Sequence, residues 1–192
     1  MIWIYGGAFN PPTKAHLNIV QTIKSMFPDD QVMIVPVGND YQKSSLIDFF
    51  HRYHMCQLTF EDAIISTKEH DQKYQGTLAL LQSVEKDTHQ KVGFVIGADQ
   101  LKNLTKWIHY EVLLKTYPCL IFNREGVNVD AYQTLFKKFF HYQIISFDYP
   151  IASTKIRKHL KDHANFRIEF DCKGFDTLNQ KTRGLKLFDE FF

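Results

Sequence analysis

Cysteine is scarce in this chain: three residues in 192, Cys56, Cys119 and Cys172, with no paired spacing. That excludes a disulfide framework and a zinc ribbon, and it reads as reduced thiols in a cytoplasmic protein. Long apolar runs are missing too, so no segment reaches membrane-span length and no membrane partner is expected. The net charge is only +2. No polybasic surface follows from that balance, and nucleic-acid binding gains no support from it. The slight excess of Lys and Arg accords with a small anionic ligand. Neither G-x-x-x-x-G-K-[ST] nor G-x-G-x-x-G occurs, which argues against a kinase or a dehydrogenase. The histidines other than His16 show no ligand spacing with cysteine, and no carboxylate cage is evident, so no protein-held metal site is expected. There is no internal repeat and no low-complexity linker. The first residues read as a strand, which is not the pattern of a cleaved leader.

What is present is a loop. Met1–Tyr5 reads as a short apolar strand, followed by Gly6-Gly7-Ala8-Phe9-Asn10-Pro11-Pro12-Thr13-Lys14-Ala15-His16. The glycines let the backbone turn tightly and approach a ligand. Pro12 suits the entry to a helix. Thr13 and His16 are three apart, so they share a face on its first turn. Free N–H groups and the positive dipole end there attract anions. A second candidate cradle, Ile151-Ala152-Ser153-Thr154-Lys155-Ile156-Arg157, follows the apolar strand Tyr142–Phe147. Ser153 or Thr154 suits a helix cap, and the fork of Arg157 suits phosphate oxygens.

Between these segments strands and helices alternate. Strands are expected at Gln31–Val37, Ala63–Thr67, Lys91–Ile96 and Tyr117–Phe122. Helices are expected at Thr13–Met26, Asp48–Phe60 (Asp48 as cap), Thr77–Glu85, Asp130–Phe140 and Ser153–Asp162. One or two short helices fill Leu101–Lys115. The alternation predicts an α/β fold, a doubly wound parallel sheet with helices on both faces. Every suspected site loop then lies beyond the carboxyl end of a strand, where ligands bind in such sheets. Residues 1–164 form the predicted domain. Residues 165–192 read as an added C-terminal extension packed on it, with Phe166, Ile168 and Phe170 alternating and Leu185, Leu187, Phe188, Phe191 and Phe192 strongly apolar. A contact in a homo-oligomer is the other use of such a tail.

The two cradles carry a family resemblance. G-G-x-F-N-P-x-T-x-x-H with S-T-x-I-R after the last core strand resembles the nucleotidyltransferase superfamily with the (H/T)xxH signature. Within it, the chain is similar to the nicotinamide/nicotinate mononucleotide adenylyltransferases over roughly the first 160 residues. Pro36-Val37-Gly38-Asn39-Asp40-Tyr41-Gln42-Lys43 with His51-Arg52 is similar to the P-V-G-x-x-Y-x-K…H-R loop of the eukaryotic-type enzymes. Tyr74-Gln75-Gly76-Thr77-Leu78, Gly97-Ala98-Asp99-Gln100-Leu101 with Trp107, and Ile121-Phe122-Asn123-Arg124-Glu125-Gly126 match further stretches of the family. The family's terminal V-x-x-Y-I pattern is absent. Ala15 stands where many relatives carry glycine, and Ala152 replaces the first serine of I-S-S-T.

The resemblance implies a Rossmann-like fold and adenylyl transfer from ATP, with Mg2+ bound to the nucleotide, to a pyridine mononucleotide in NAD biosynthesis. It implies His16 as phosphate donor, with Thr13 bonding phosphate or capping its helix and Arg157 neutralising charge. It implies ATP contacts from Gly7, Ala8, Phe9, Asp99, Ser153 and Thr154, and mononucleotide contacts from Lys43, Tyr41, Tyr74, Thr77 and Trp107. Arg52 either fastens the Lys43 loop or serves packing alone. The ring preference, nicotinate or nicotinamide, is open. A phosphopantetheine adenylyltransferase shares the two phosphate motifs, and a sensor that binds nucleotide without turnover is the rival from another class.

Overall fold

β-Branched and aromatic residues favour pleated, half-buried strands, and six strands form where such runs occur. The computed structural model describes residues 1–40, 46–123 and 127–147. In chain order the elements are β1 (Ile2–Gly7), α1 (Lys14–Met26), β2 (Gln31–Pro36), α2 (Phe49–Thr59), β3 (Ile64–Ile65), α3 (Lys68–Asp71), α4 (Thr77–Thr88), β4 (Val92–Gly97), a 3-10 helix (Ala98–Lys106), α5 (Tyr110–Thr116), β5 (Cys119–Asn123), a 3-10 turn (Val129–Tyr132), α6 (Gln133–Phe136) and β6 (Tyr142–Ser146). The strands make one sheet in the order β3-β2-β1-β4-β5-β6, and every pairing is parallel. The chain winds outward in one direction from β1, then returns to its other side at β4. That reversal leaves a crevice between the carboxyl ends of β1 and β4, the place where ligands bind in such sheets.

The period of two along β1 divides its side chains between two cores. Ile2 and Ile4 face the layer of α4, α5 and α6, with Leu81, Val84, Leu113 and Phe136. Trp3 and Tyr5 face the layer of α1 and α2, with Ala15, Ile19, Ile23 and Cys56. Helices therefore cover both faces, as a parallel sheet requires. Asp30 fixes the start of β1: it accepts from the N-terminal ammonium at 2.6 Å and from the Trp3 indole at 2.9 Å.

Three expectations need adjustment. The stretch expected as a helix over Asp130–Phe140 is a 3-10 turn followed by a four-residue helix. The chain leaves the helix because the Phe140 N–H docks on the Leu114 carbonyl, 2.6 Å away, and the rings of Phe136, Phe139 and Tyr142 pack together. The region expected to begin at Leu101 begins at Ala98, as 3-10 helix. A short helix, α3, stands where only a connection was expected. The helix from Ser153, the tail at 165–192 and Cys172 lie outside the described residues.

Candidate nucleotide site

α1 begins one residue later than expected, with Thr13 as its N-cap in extended backbone and Pro12 one position before it. Thr13 is 2% exposed, and its backbone N–H donates to Nδ1 of His16 at 3.0 Å. The Thr13 hydroxyl reaches the same nitrogen at 2.8 Å. This is the reciprocal half of a capping box, with histidine in place of the usual glutamate or glutamine. The arrangement has a chemical consequence. A nitrogen that accepts from a backbone N–H carries a lone pair, so the ring proton resides on Nε2. His16 is thereby held as a donor, and its ring lines a cavity of about 260 Å³.

Beneath His16 lies Phe9. Its backbone is left-handed at φ 44, a conformation that costs a non-glycine residue free energy. Burial offsets that cost: the ring is 2% exposed and packs edge-on against Tyr5 and Phe60 as well as His16, with centroids 5.2–5.7 Å apart. Phe9 thus supports the loop from below. Gly6, Gly7 and Ala8 form the cavity wall itself.

The opposite wall comes from β4 and the 3-10 helix after it. Gly97 is the residue before that helix, so Asp99 is not its cap. A side chain at Gly97 would place its Cβ 2.4 Å from an Asp99 carboxylate oxygen. Only glycine lets that carboxylate fold back over the strand end. Asp99 is exposed, accepts from the Gln100 amide at 3.1 Å and lines the cavity. Tyr74, Thr77 and Trp107 line the same cavity. Trp107 is half-buried and packs against the core as well as lining the cavity. Tyr74 is 42% exposed.

Seven expected residues thus converge on one crevice: Gly7, Ala8, His16, Tyr74, Thr77, Asp99 and Trp107. Thr13 and Phe9 sit one layer behind it, where they position His16 and the loop. Tyr41, Lys43, Ser153, Thr154 and Arg157 lie outside the described residues. Sequence reading missed Glu69, which also lines the cavity. Burial pushes its carboxyl up from 4.5 to about 7. Its backbone carbonyl approaches β2's exit so closely that a Cβ at Gly38 would lie 2.1 Å away. Arg52 is fully buried. It donates to the carbonyls of Ile47 at 2.9 Å and Ala8 at 3.0 Å, and reaches Asn39 Oδ1 at 3.5 Å. Its position was legible: it stands on the same stripe as Phe49 and Cys56.

Strand order, glycine loop and crevice define the class as a nucleotide-binding α/β protein of the nucleotidyltransferase type. A family model described as cytidylyltransferase-like matches residues 4–159. Among curated proteins, one from Acholeplasma laidlawii, described as "Probable nicotinate-nucleotide adenylyltransferase", is 34% identical over 97% of this chain and 100% of its own length. One from Helicobacter pylori with the same description is 28% identical over 82% of this chain and 91% of its own. The solved structure of Plasmodium falciparum nicotinic acid mononucleotide adenylyltransferase complexed with NaAD shares the fold. Its TM-score is 0.79 at 22% identity, over 98% of this chain and 97% of that one. The chain belongs to the cytidylyltransferase-like family, in its nicotinate-nucleotide adenylyltransferase branch.

Proposed function

We propose that this protein transfers the adenylyl group of ATP to the 5′-phosphate of nicotinate or nicotinamide mononucleotide, forming deamido-NAD or NAD. A phosphate oxygen of the mononucleotide attacks the α-phosphorus. The bond from that phosphorus to its bridging oxygen breaks, and pyrophosphate leaves with the electron pair. The nucleophile is already an anion, so no general base is needed. Catalysis is positioning plus stabilisation of charge on the phosphoryl oxygens.

The observation that carries this reading is the fixed tautomer of His16. Thr13 holds Nδ1 as acceptor, so the ring proton is on Nε2, and His16 lines the same crevice as the glycine loop. A sensor that merely held nucleotide would not need a donor locked at that point. Thr13 acts through His16 and is a positioning residue. Gly7 and Ala8 bring backbone to the triphosphate, and Asp99 suits the ribose hydroxyls. Tyr74, Thr77 and Trp107 suit the pyridine ring, because a flat electron-poor ring stacks favourably on an aromatic face. Arg157, Ser153 and Thr154 complete the phosphate contacts of the reading, and Lys43 with Tyr41 the mononucleotide contacts.

In this reading magnesium would be carried in on phosphate oxygens and water, where it would neutralise charge on the leaving pyrophosphate. Nicotinate mononucleotide is the preferred acceptor in this reading, supported by the descriptions of the relatives. The reading assigns the protein to the cytosol. Among the described residues no helix is long and apolar enough to cross a membrane.

The test is pyrophosphate release with ATP and magnesium, run in parallel with nicotinate mononucleotide, nicotinamide mononucleotide and phosphopantetheine. Turnover with a pyridine mononucleotide is expected, and the rate ratio fixes the ring preference. Turnover with phosphopantetheine alone would overturn the roles given to Tyr74, Thr77 and Trp107. ATP binding without turnover on any acceptor would favour the sensor.

A further inference from the structure

We propose that Glu69 reads the substituent on the pyridine ring: as a neutral acid it accepts nicotinate, and as a carboxylate it excludes nicotinate while still admitting nicotinamide. The proposal rests on the reading above that the ring lies against Tyr74, Thr77 and Trp107. It adds the group that tells one ring from the other.

Glu69 lines the crevice together with Tyr74, Thr77, Leu80 and Trp107. It also lines a smaller cavity of about 140 Å³, and Tyr74 and Leu80 are shared between the two. The residue therefore stands where the cavities meet, among the side chains assigned to the ring. Backbone fixes its place: α3 carries it, and its carbonyl abuts Gly38, where a Cβ would lie 2.1 Å away. The side chain is half-buried. Burial alone raises its carboxyl to about 7, with no hydrogen bond or neighbouring charge contributing.

The charged and titratable groups around it are engaged elsewhere or exposed. On α3, Lys68 reaches across to α4, where it donates to Ser83 at 3.0 Å and pairs with Asp87. His70 stacks on Phe49 of α2 with centroids 4.4 Å apart, and Asp71 accepts from the Thr67 hydroxyl. Arg52 of α2 donates to the carbonyls of Ile47 and Ala8. Lys73, before α4, and Asp40, beyond Gly38, are exposed. Elsewhere on the crevice wall, His16 of α1 is bonded to Thr13 and Asp99 accepts from Gln100. A carboxyl taken from water without a partner is costly, and glutamine would fill the same space without a charge. The ring substituent supplies the missing partner. An amide carries both a donor and an acceptor, so it bonds either form of Glu69. Nicotinate is itself an anion and only accepts, so it bonds the acid and is repelled by the carboxylate.

The experiment is steady-state pyrophosphate release by the full chain with saturating ATP and magnesium. Nicotinate and nicotinamide mononucleotide are compared from about pH 6 to about pH 8, a window centred on the Glu69 carboxyl. A mononucleotide that does not turn over is read through its inhibition constant against the one that does. The readout is the nicotinamide-to-nicotinate ratio of kcat/KM, which reports groups of the free enzyme. Effects on ATP, on the shared 5′-phosphate and on His16 as phosphate donor cancel in it. In the wild type the ratio should rise about tenfold across the window, as the protonated fraction of Glu69 falls from about nine-tenths to about one-tenth. In Glu69→Gln, whose amide donates and accepts at every pH, the ratio should stay constant within about twofold. If that variant fails to fold, Glu69→Ala takes its place with the same constant ratio expected. A flat or falling ratio in an active wild type would overturn the proposal and leave the assigned reaction standing. So would an equal rise in the folded variant, which would move the titration to His16 or His70. A wild type without turnover on either mononucleotide would overturn the reaction, and the proposal with it.

Discussion

Replacing Glu69 by Gln should stabilise the protein above neutral pH and leave it unchanged in acid. Burial raises the Glu69 carboxyl from 4.5 to about 7. Below pH 4.5 both the folded and the unfolded chain hold the proton, and the residue contributes no pH dependence. Between 4.5 and about 7 the unfolded chain releases its proton while the folded one keeps it. The folded state then binds more protons, so stability falls as pH rises through this window. Above it both states are ionised and the whole penalty is in place. At about 1.4 kcal/mol per tenfold change in proton affinity, this corresponds to roughly 3 kcal/mol. That figure is a ceiling, because the half-buried side chain keeps some contact with water. Glutamine has the shape and neutrality of the protonated acid. Thermal unfolding of both proteins at about pH 4 and about pH 8, on either side of the window, tests the idea. The melting temperatures should nearly coincide at the lower pH, and at the higher one the Glu69→Gln protein should melt higher by up to roughly 6–12 °C. Parallel pH profiles for the two proteins would refute the reasoning and mean that Glu69 is ionised in the folded state without penalty.

Three further outcomes are expected from the site and its supports. His16→Ala should lower kcat by about 10²–10³-fold with a much smaller change in ATP affinity, because the donor acts on charge that develops in the transition state; equal turnover would remove His16 from the mechanism. Gly38→Ala should destabilise the fold by about 3 kcal/mol, since backbone at Glu69 must move to admit the new Cβ, and a urea midpoint equal to wild type would contradict this. Trp107→Ala should weaken mononucleotide binding by roughly tenfold through lost stacking, worth about 0.5–1.5 kcal/mol beyond area burial, while ATP binding measured alone stays near wild type.

The strands and the two-sided layering were legible because local preference and burial agree. Val32–Val35 and Leu120–Phe122 are apolar throughout, as strands covered on both faces must be. The glycine loop was legible for the same reason: its spacing has few other uses. What escaped notice depends on distant partners. The stretch from Asp130 to Phe140 has helical composition, yet the Phe140 contact with Leu114 decides how it ends. Glu69 carries no local signal, because a glutamate in a polar connection looks solvated until Gly38 is brought against it. Thr13 illustrates a subtler limit. Its spacing from His16 indicated a shared face, but not that its own N–H would choose the tautomer of the ring.

The bond from Thr13 to His16 ties the proposed phosphate donor to the first turn of α1. Opening of the first turn releases Nδ1, and the ring is then free to change tautomer and to swing. Such local opening requires less free energy than global unfolding. In the proposed mechanism, catalytic competence is therefore a property of one helical turn, with the rest of the sheet still intact around it. Activity on warming should fade before the melting transition begins and should return on cooling. The enzyme would act as its own reporter of end-fraying, with turnover reading out the closed fraction of a single cap.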